Sequence, residues 1–399
     1  MIIKIEIENF YSIKDKQTLD LRIPLTTPKS DRFCPLAEGS EVRVPKVVAF
    51  FGANASGKTT FLRAISFVQN FIERSFHAYE PLDPIAINPF KRAECEMGVT
   101  KLAIEFTATN YVDLFGRIYR YELFVQHHED GNFVLWEALK ASNDARSFVS
   151  VFERRGSNDE SVITASKEFD LPEGDPRRKV RSNVSLLSSL EQFAHEPARV
   201  IVNLVRNNFV SNIKAEKFSL SEGVVTSYLK HNPSFLKEFN RLIRVIDVGI
   251  ESVELREEDK QTKAVFLHSG LDGVQSLKYE SQGTKNFFYL FPHLVYSLKT
   301  GATAIVDEID SDLHPALMWG IVRWYHSPLE NKMGAQLIAS CQNPSILSEL
   351  EKEEVCLVAK NKKGESSTQR LSDFGYIRRD TNLYKKYLGG AFGAVPNFG

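Results

Sequence analysis

No segment of the sequence approaches the roughly 18 clean apolar residues that a membrane-spanning helix needs. The opening MIIKIEIENF alternates apolar and charged residues in place of the apolar run of a secretory signal. Neither a membrane-embedded nor an exported protein is expected. Cysteine is scarce: Cys34, Cys95, Cys341 and Cys356 lie far apart with no C-x-x-C pair, which argues against a disulfide framework or a clustered zinc site and fits a reducing cytoplasm. Net charge is almost absent, 50 Lys and Arg against 51 Asp and Glu, so no global field favours nucleic acid or an anionic membrane. Any such contact requires a local patch. Internal repeats, low-complexity tracts and heptads long enough for a coiled-coil arm are also missing. What is present is a 399-residue chain of ordinary globular composition, long enough for one large core with insertions or for two domains.

Period-two alternation marks the start: Ile3, Ile5 and Ile7 alternate with Lys4, Glu6 and Glu8, and LDLRI (19–23) repeats the pattern, so the two are expected to pair as strands. Residues 24–45, rich in Pro, Ser, Thr and Gly, read as an exposed connection. VVAFF (47–51) is a short continuous apolar run, as for a strand buried on both faces. Residues 100–165 carry alternating segments with turn signals, predicting an antiparallel sheet. After a polar, basic break at 171–183 a helical stretch is expected to about residue 245. The last third alternates apolar strands with helices, the pattern of an α/β parallel sheet.

Directly after VVAFF comes GANASGKTT (52–60), which has the spacing G-x-x-x-x-G-K-[ST] of a phosphate-binding loop. Gly52 and Gly57 allow the tight curl that turns backbone N–H groups toward phosphates, with Asn54, Ala55, Ser56 and Thr60 completing the cradle. Lys58 supplies a charge to the β- and γ-phosphates, and Thr59 offers a hydroxyl to Mg²⁺. The apolar spacing of Phe61, Leu62, Ile65, Val68, Ile72 and Phe76 predicts a helix whose positive end faces the same place. In ATAIVDEID (302–310) an apolar strand ends in Asp307, placed to hold Mg²⁺ through water, and Glu308, a candidate general base for the attacking water.

A third motif lies just upstream of that strand. YESQGTKNFF (279–288) sets Ser281 and Gly283 at the start of an apolar helix, where a hydroxyl, free N–H groups and the helix dipole make a second anion site. With these three motifs in this order the chain resembles the ATP-binding-cassette superfamily. The opening IKIEIENFYSIKD, the wording DEIDSDLHP and the ending YIRRDTNLYKKYLGGAFGAVP resemble its SMC/RecF/OLD-like branch. They are most similar to compact bacterial phage-defence (abortive-infection) ATPases of the RloA/AbiL, PARIS AriA and retron-associated type. The resemblance covers residues 1–70 and about 275–399. It implies ATP and Mg²⁺ as cofactors, a signature (Ser281, Gly283) that binds the γ-phosphate held by a partner subunit, and a D-loop around Asp312 along a dimer interface.

Two departures from the family pattern stand out. Ala55 occupies a loop position where glycine is more usual, and a small side chain is expected to be tolerated there. The strand AQLIASCQNPSIL places Gln342 where the family expects a histidine facing the γ-phosphate. Its amide donates a hydrogen bond but carries no charge, so hydrolysis is expected to be slow or dependent on a partner. Gln69 and Gln126 are candidates for the family's Q-loop glutamine.

Other features read simply. DPRRKVRSN is a solvated basic loop, KNKKGE (360–365) a charged hairpin turn, and His127-His128 an exposed strand end that is no metal cluster. The aromatics are packing. The expected fold is α/β: an ATP-binding-cassette-type ATPase head with a mixed or parallel nucleotide-binding sheet, an antiparallel β subdomain and a helical insertion. Three regions follow: 1–170 with the phosphate loop and the antiparallel sheet, 171–250 as the helical insertion, and 251–399 with signature, DE strand, D-loop and switch strand. The expected function is a cytoplasmic ATPase switch that forms a homodimer or higher homo-oligomer around ATP and controls a separate effector, a nuclease or toxin, in anti-phage defence. The chain has no Toprim-like acid cluster of its own. Alternatives are a DNA repair ATPase of the RecF or SMC kind, which charge does not indicate, and a nucleotide-bound scaffold with little turnover.

Overall fold

A computed structural model describes residues 1–36, 39–107, 118–143, 147–156, 161–213, 221–247, 249–258 and 261–392. The alternating opening is strand β1 (Ile2–Glu8), which pairs antiparallel with β2 (Gln17–Asp20) through Ile5 opposite Leu19. The expected partner was 19–23; the ladder is shifted toward the turn, although Leu21 still donates its amide to Ile3. Residues 24–45 are not merely an exposed connection. They hold the hairpin β3 (Phe33–Pro35) and β4 (Arg43–Pro45), with Phe33 and Val44 buried.

β5 (Val47–Phe51) has all five side chains buried, as its unbroken apolar run requires. Its period of two sends Val48 and Phe50 into one core and Val47, Ala49 and Phe51 into the other. Helix α1 (Lys58–Ala78) follows the phosphate loop, then a short α2 (Ala93–Glu96). The strand-rich region forms β6 (Val99–Thr107), β7 (Ile118–His128), β8 (Gly131–Ser142), β9 (Val149–Arg155) and β10 (Val162–Ala165). Together with β1 and β2 they make an antiparallel seven-stranded sheet in the order β10-β9-β8-β7-β6-β1-β2.

The stretch expected to be helical contains α3 (Leu186–Gln192), α4 (Glu196–Asn208), α5 (Glu222–His231) and α6 (Pro233–Ile246). It is broken by a strand, β11 (Phe209–Ser211), too short to show a period in the sequence. A small antiparallel sheet of β12 (Ile250–Glu258), β13 (Gln261–His268) and β14 (Val274–Ser276) comes next. Helix α7 (Gln282–Thr300) packs Phe287, Phe288 and Phe291 around Phe239 of α6 at ring distances of 5.6, 5.9 and 5.1 Å. The final elements are β15 (Thr303–Val306), α8 (Pro315–His326), β16 (Gln336–Ser340), β17 (Val355–Lys360), β18 (Ser366–Arg370) and α9 (Leu383–Leu388). The second sheet runs β11-β15-β16-β5-β17-β18, parallel except for the β17–β18 hairpin. It carries the ends of β5, β15 and β16 to one edge.

Two features of the chain depart from the simple expectation. The arginines of 171–183 are not a solvated loop: Arg178 donates to the carbonyls of Ile163 and Leu171, and Arg181 to those of Phe76 and Tyr79. Arg181 thus fastens the segment to the end of α1 and Arg178 fastens it to β10, because a guanidinium satisfies several orphan carbonyls at once. His127 is buried between Thr100 and Asn132, at 2.7 and 2.8 Å, while only His128 is exposed. The last residues of the quoted C-terminal stretch, from 393 on, lie outside the described residues.

Candidate active site

The loop 52–60 is bound to the β17–β18 hairpin by close approach. A Cβ on Gly52 would stand 2.1 Å from the carbonyl oxygen of Val358, and one on Gly57 would stand 2.4 Å from the hydroxyl of Ser366. Gly57 also has φ +109°, where only glycine is unstrained. Ser366 Oγ donates to the Ser56 carbonyl at 2.6 Å and pairs with Ser12 Oγ at 2.9 Å, and the Ser12 hydroxyl pairs with Thr60 at 3.0 Å. Ala55 has φ +61°, so the small side chain sits in the left-handed region at a cost of roughly 1–2 kcal/mol that glycine would escape.

Lys58 curls over its own loop, its ammonium donating to the carbonyls of Gly52 (2.8 Å) and Ala53 (3.2 Å). Burial lowers its pKa below the ordinary lysine value, against the opposing pull of Asp307, Asp310, Cys341 and Glu308. At the edge formed by β15 and β16 the acids are joined by hydrogen bonds. Thr59 Oγ1 donates to Asp307 Oδ1 at 3.1 Å, and Ser340 Oγ donates to the same oxygen at 2.5 Å. Ser340 also accepts the Glu308 amide at 2.7 Å. Gln342 Nε2 donates to Glu308 Oε1 at 2.6 Å, and the amides of Gln342 and Asn343 both reach Asp310 Oδ2. Burial raises the Asp310 pKa in spite of those two amides. Glu308 has φ +48°, a left-handed conformation for a non-glycine residue.

Lys58, Thr59, Glu308, Ser340 and Gln342 line one cleft of about 780 Å³, with Asn54, Ala55, Ser56, Gly57 and Thr60 along its floor. Thr59 and Asp307 bring a hydroxyl and a carboxylate together, the hard oxygen donors that suit Mg²⁺. Among the described residues no group of three or more His, Cys, Asp or Glu could hold a metal by itself. The donor set therefore fits an ion completed by water and phosphate oxygens.

Ser340 and Asn212 were not singled out in the sequence. Asn212 follows β11, and its side chain donates to the Asp307 carbonyl at 3.2 Å and accepts the Asp307 amide at 2.8 Å. Only the parallel pairing of β11 with β15 makes this clamp, which the sequence could not show. The two glutamines considered instead are engaged elsewhere: Gln69 donates to the Phe209 carbonyl, and Gln126 to those of Met97, Gly98 and His127.

Ser281, Gly283 and Asp312 form a separate group. Ser281 caps α7 by accepting the Thr284 amide at 3.1 Å. A Cβ on Gly283 would meet the Asp312 carbonyl oxygen at 2.5 Å, so glycine is what lets the two loops touch. Asn286 donates to the Ser311 carbonyl and to Asp312 Oδ2, both at 3.2 Å. Ser281 and Asp312 are exposed, and none of the three lines the cleft that holds Lys58.

Among the described residues no helix is long and apolar enough to cross a membrane. No curated protein matches the chain. The solved structure titled "Crystal structure of the SmcHead bound to the C-winged helix domain of ScpA" aligns over 93% of this chain and 99% of its own, with TM-score 0.52 and 14% identity. The SMC head domain from Thermotoga maritima aligns over 92% and 98%, with TM-score 0.42 and 15% identity. The first likeness shows the fold, an α/β fold similar to that of the SMC head. A family model matches residues 47–348, most of the chain and all three motifs, and the chain belongs to that family, the P-loop AAA_21 family described as "AAA domain, putative AbiEii toxin, Type IV TA system".

Proposed function

We propose that the chain is an ATPase switch. The observation that carries this reading is the hydrogen-bonded series Thr59–Asp307–Ser340–Glu308–Gln342, of which Thr59, Ser340, Glu308 and Gln342 line one cleft with Lys58. The loop amides and Lys58 bind and orient the triphosphate. Mg²⁺, held from Thr59 and Asp307, would offset charge that develops on the phosphates. Glu308 takes the proton of the attacking water, and Gln342 holds the carboxylate in place. Asn212 and Ser340 fix Asp307 from its backbone and its side chain.

Ser281, Gly283 and Asp312 lie on an exposed surface outside this cleft, which supports completion of the site by a second copy: the signature of one subunit meets the γ-phosphate bound by the other. ATP then closes a homodimer, and hydrolysis opens it. The family description, with its toxin and toxin–antitoxin terms, supports a role in which this cycle controls a toxin or nuclease effector during phage defence. A second reading, a nucleotide-bound scaffold with little turnover, is favoured by one observation: the residue bonded to Glu308 is a neutral glutamine.

Phosphate release from ATP by the purified protein, beside Glu308→Gln, tests the proposal. Turnover that disappears in the variant is expected. ATP binding without release in either protein would favour the scaffold, and no binding in either would end both readings.

A further inference from the structure

The cleft has two ends. Lys58 and Thr59 mark the β,γ-phosphate end, because that is where a phosphate loop places its lysine and hydroxyl. The opposite end lies past Thr60, where the Ser12 hydroxyl bonds to Thr60. The β17–β18 hairpin is fastened at this far end. Ser366 donates its amide to the Ser12 carbonyl at 2.7 Å, and its hydroxyl donates to the Ser56 carbonyl and pairs with the Ser12 hydroxyl. The turn at its tip closes on itself, with Asn361 N to Glu365 O and Gly364 N to Asn361 O both 3.0 Å.

Cations near this tip divide into two groups. Lys14 and Arg92 pair with Glu94 and Glu365 at 3.2–3.9 Å, consuming the carboxylates there. Lys360 and Lys363 on the hairpin, and Lys91 ahead of α2, line the cleft instead. Among the described residues none of these three ammonium groups has an ion-pair partner; Lys363 influences Glu365 only at longer range. Among the described lining residues Glu308 is the one carboxylate, and it stands at the other end. A hairpin fastened to the phosphate loop and to Ser12 thus holds unneutralised charge beside the same cleft.

We infer that Lys360 and Lys363, with Lys91, are a second phosphate clamp, specific for the α-phosphate end of a bound nucleoside phosphate. The inference rests on the nucleotide reading of the cleft and adds a contact that the loop motif does not supply. Lys58 acts on the β- and γ-phosphates, so its loss weakens ATP far more than AMP. The hairpin lysines act on the phosphate shared by AMP, ADP and ATP, so their loss weakens all three alike.

The experiment is competition of AMP, ADP and ATP against a fluorescent ATP analogue. Wild type is compared with Lys360→Ala/Lys363→Ala, Lys360→Arg/Lys363→Arg and Lys58→Ala. Because both lysines are exposed, the variants are expected to melt with wild type, which circular dichroism checks. The alanine pair should bind each nucleotide about ten-fold more weakly, and the arginine pair should restore affinity. Affinities within two-fold of wild type for all three nucleotides would overturn the clamp alone. Loss confined to ATP would move the contact to the γ-phosphate and also overturn it. A wild-type protein that binds no nucleotide would overturn the reading of the cleft, and the clamp with it.

Discussion

Gln342 donates its side-chain amide to Glu308 at 2.6 Å, while its backbone amide is anchored on Asp310 at 2.8 Å. The glutamine therefore bridges two acids of the DE strand's end and fixes the direction in which the Glu308 carboxylate points. A neutral donor orients this carboxylate without adding a charge beside it.

Removing that donor should affect chemistry more than binding. If Glu308 is the base, as proposed, Gln342→Ala is expected to lower kcat for ATP hydrolysis about ten-fold or more with KM nearly unchanged, since the amide orients its carboxylate. Gln342→Glu places two carboxylates in contact and should lower turnover further. Steady-state phosphate release for both variants checks this, and an unchanged kcat in Gln342→Ala would remove the positioning role.

Ser340 serves Asp307 and the Glu308 amide together and is almost fully buried. Ser340→Ala leaves Asp307 Oδ1 with Thr59 as its remaining donor and the Glu308 amide without its acceptor, so stability should fall by about 1 kcal/mol. The Mg²⁺ concentration for half-maximal nucleotide binding should rise as well. Ser340→Thr, which keeps the hydroxyl, should recover the second effect more than the first.

The exposed group of Ser281, Gly283 and Asp312 predicts a defect that appears only between subunits. Ser281→Arg should leave ATP binding by the monomer intact and abolish ATP-dependent dimer closure, read by light scattering. Closure that persists in the variant would remove the composite site.

Acid stability should depend on the antiparallel sheet. Burial alone would raise the Glu6 pKa, but hydrogen bonds from Arg120, Lys4 and Lys16 lower it from 4.5 to about 2. A depressed carboxyl stabilises the fold at pH values above its unfolded pKa, and this contribution is lost as pH falls through the folded value. Glu6→Gln should therefore flatten the pH dependence of stability between about pH 5 and pH 2. Denaturant midpoints across that range measure it.

Much of the site was legible in the sequence because its chemistry is contiguous. A phosphate loop needs its glycines, lysine and hydroxyl at fixed spacing, and Asp307 and Glu308 follow one buried strand without a gap. The same holds for the alternating β1 and the doubly buried β5, whose patterns report how many faces are covered. Long-range registry left no such trace. Asn212 reaches Asp307 only because three residues of β11 pair with β15, and Ser340 reaches it only because β16 lies beside β15. The basic run 171–183 looked solvated, since a sequence does not say which carbonyls Arg178 and Arg181 will find. The sequence by itself determined a phosphate loop on an α/β scaffold with an acid pair at a strand end, since each rests on neighbours in the chain. Tertiary structure alone decided which side chains hold those acids, which lysines overhang the cleft and which signature residues stay outside it, because strand order and hairpin docking are set by packing between distant segments.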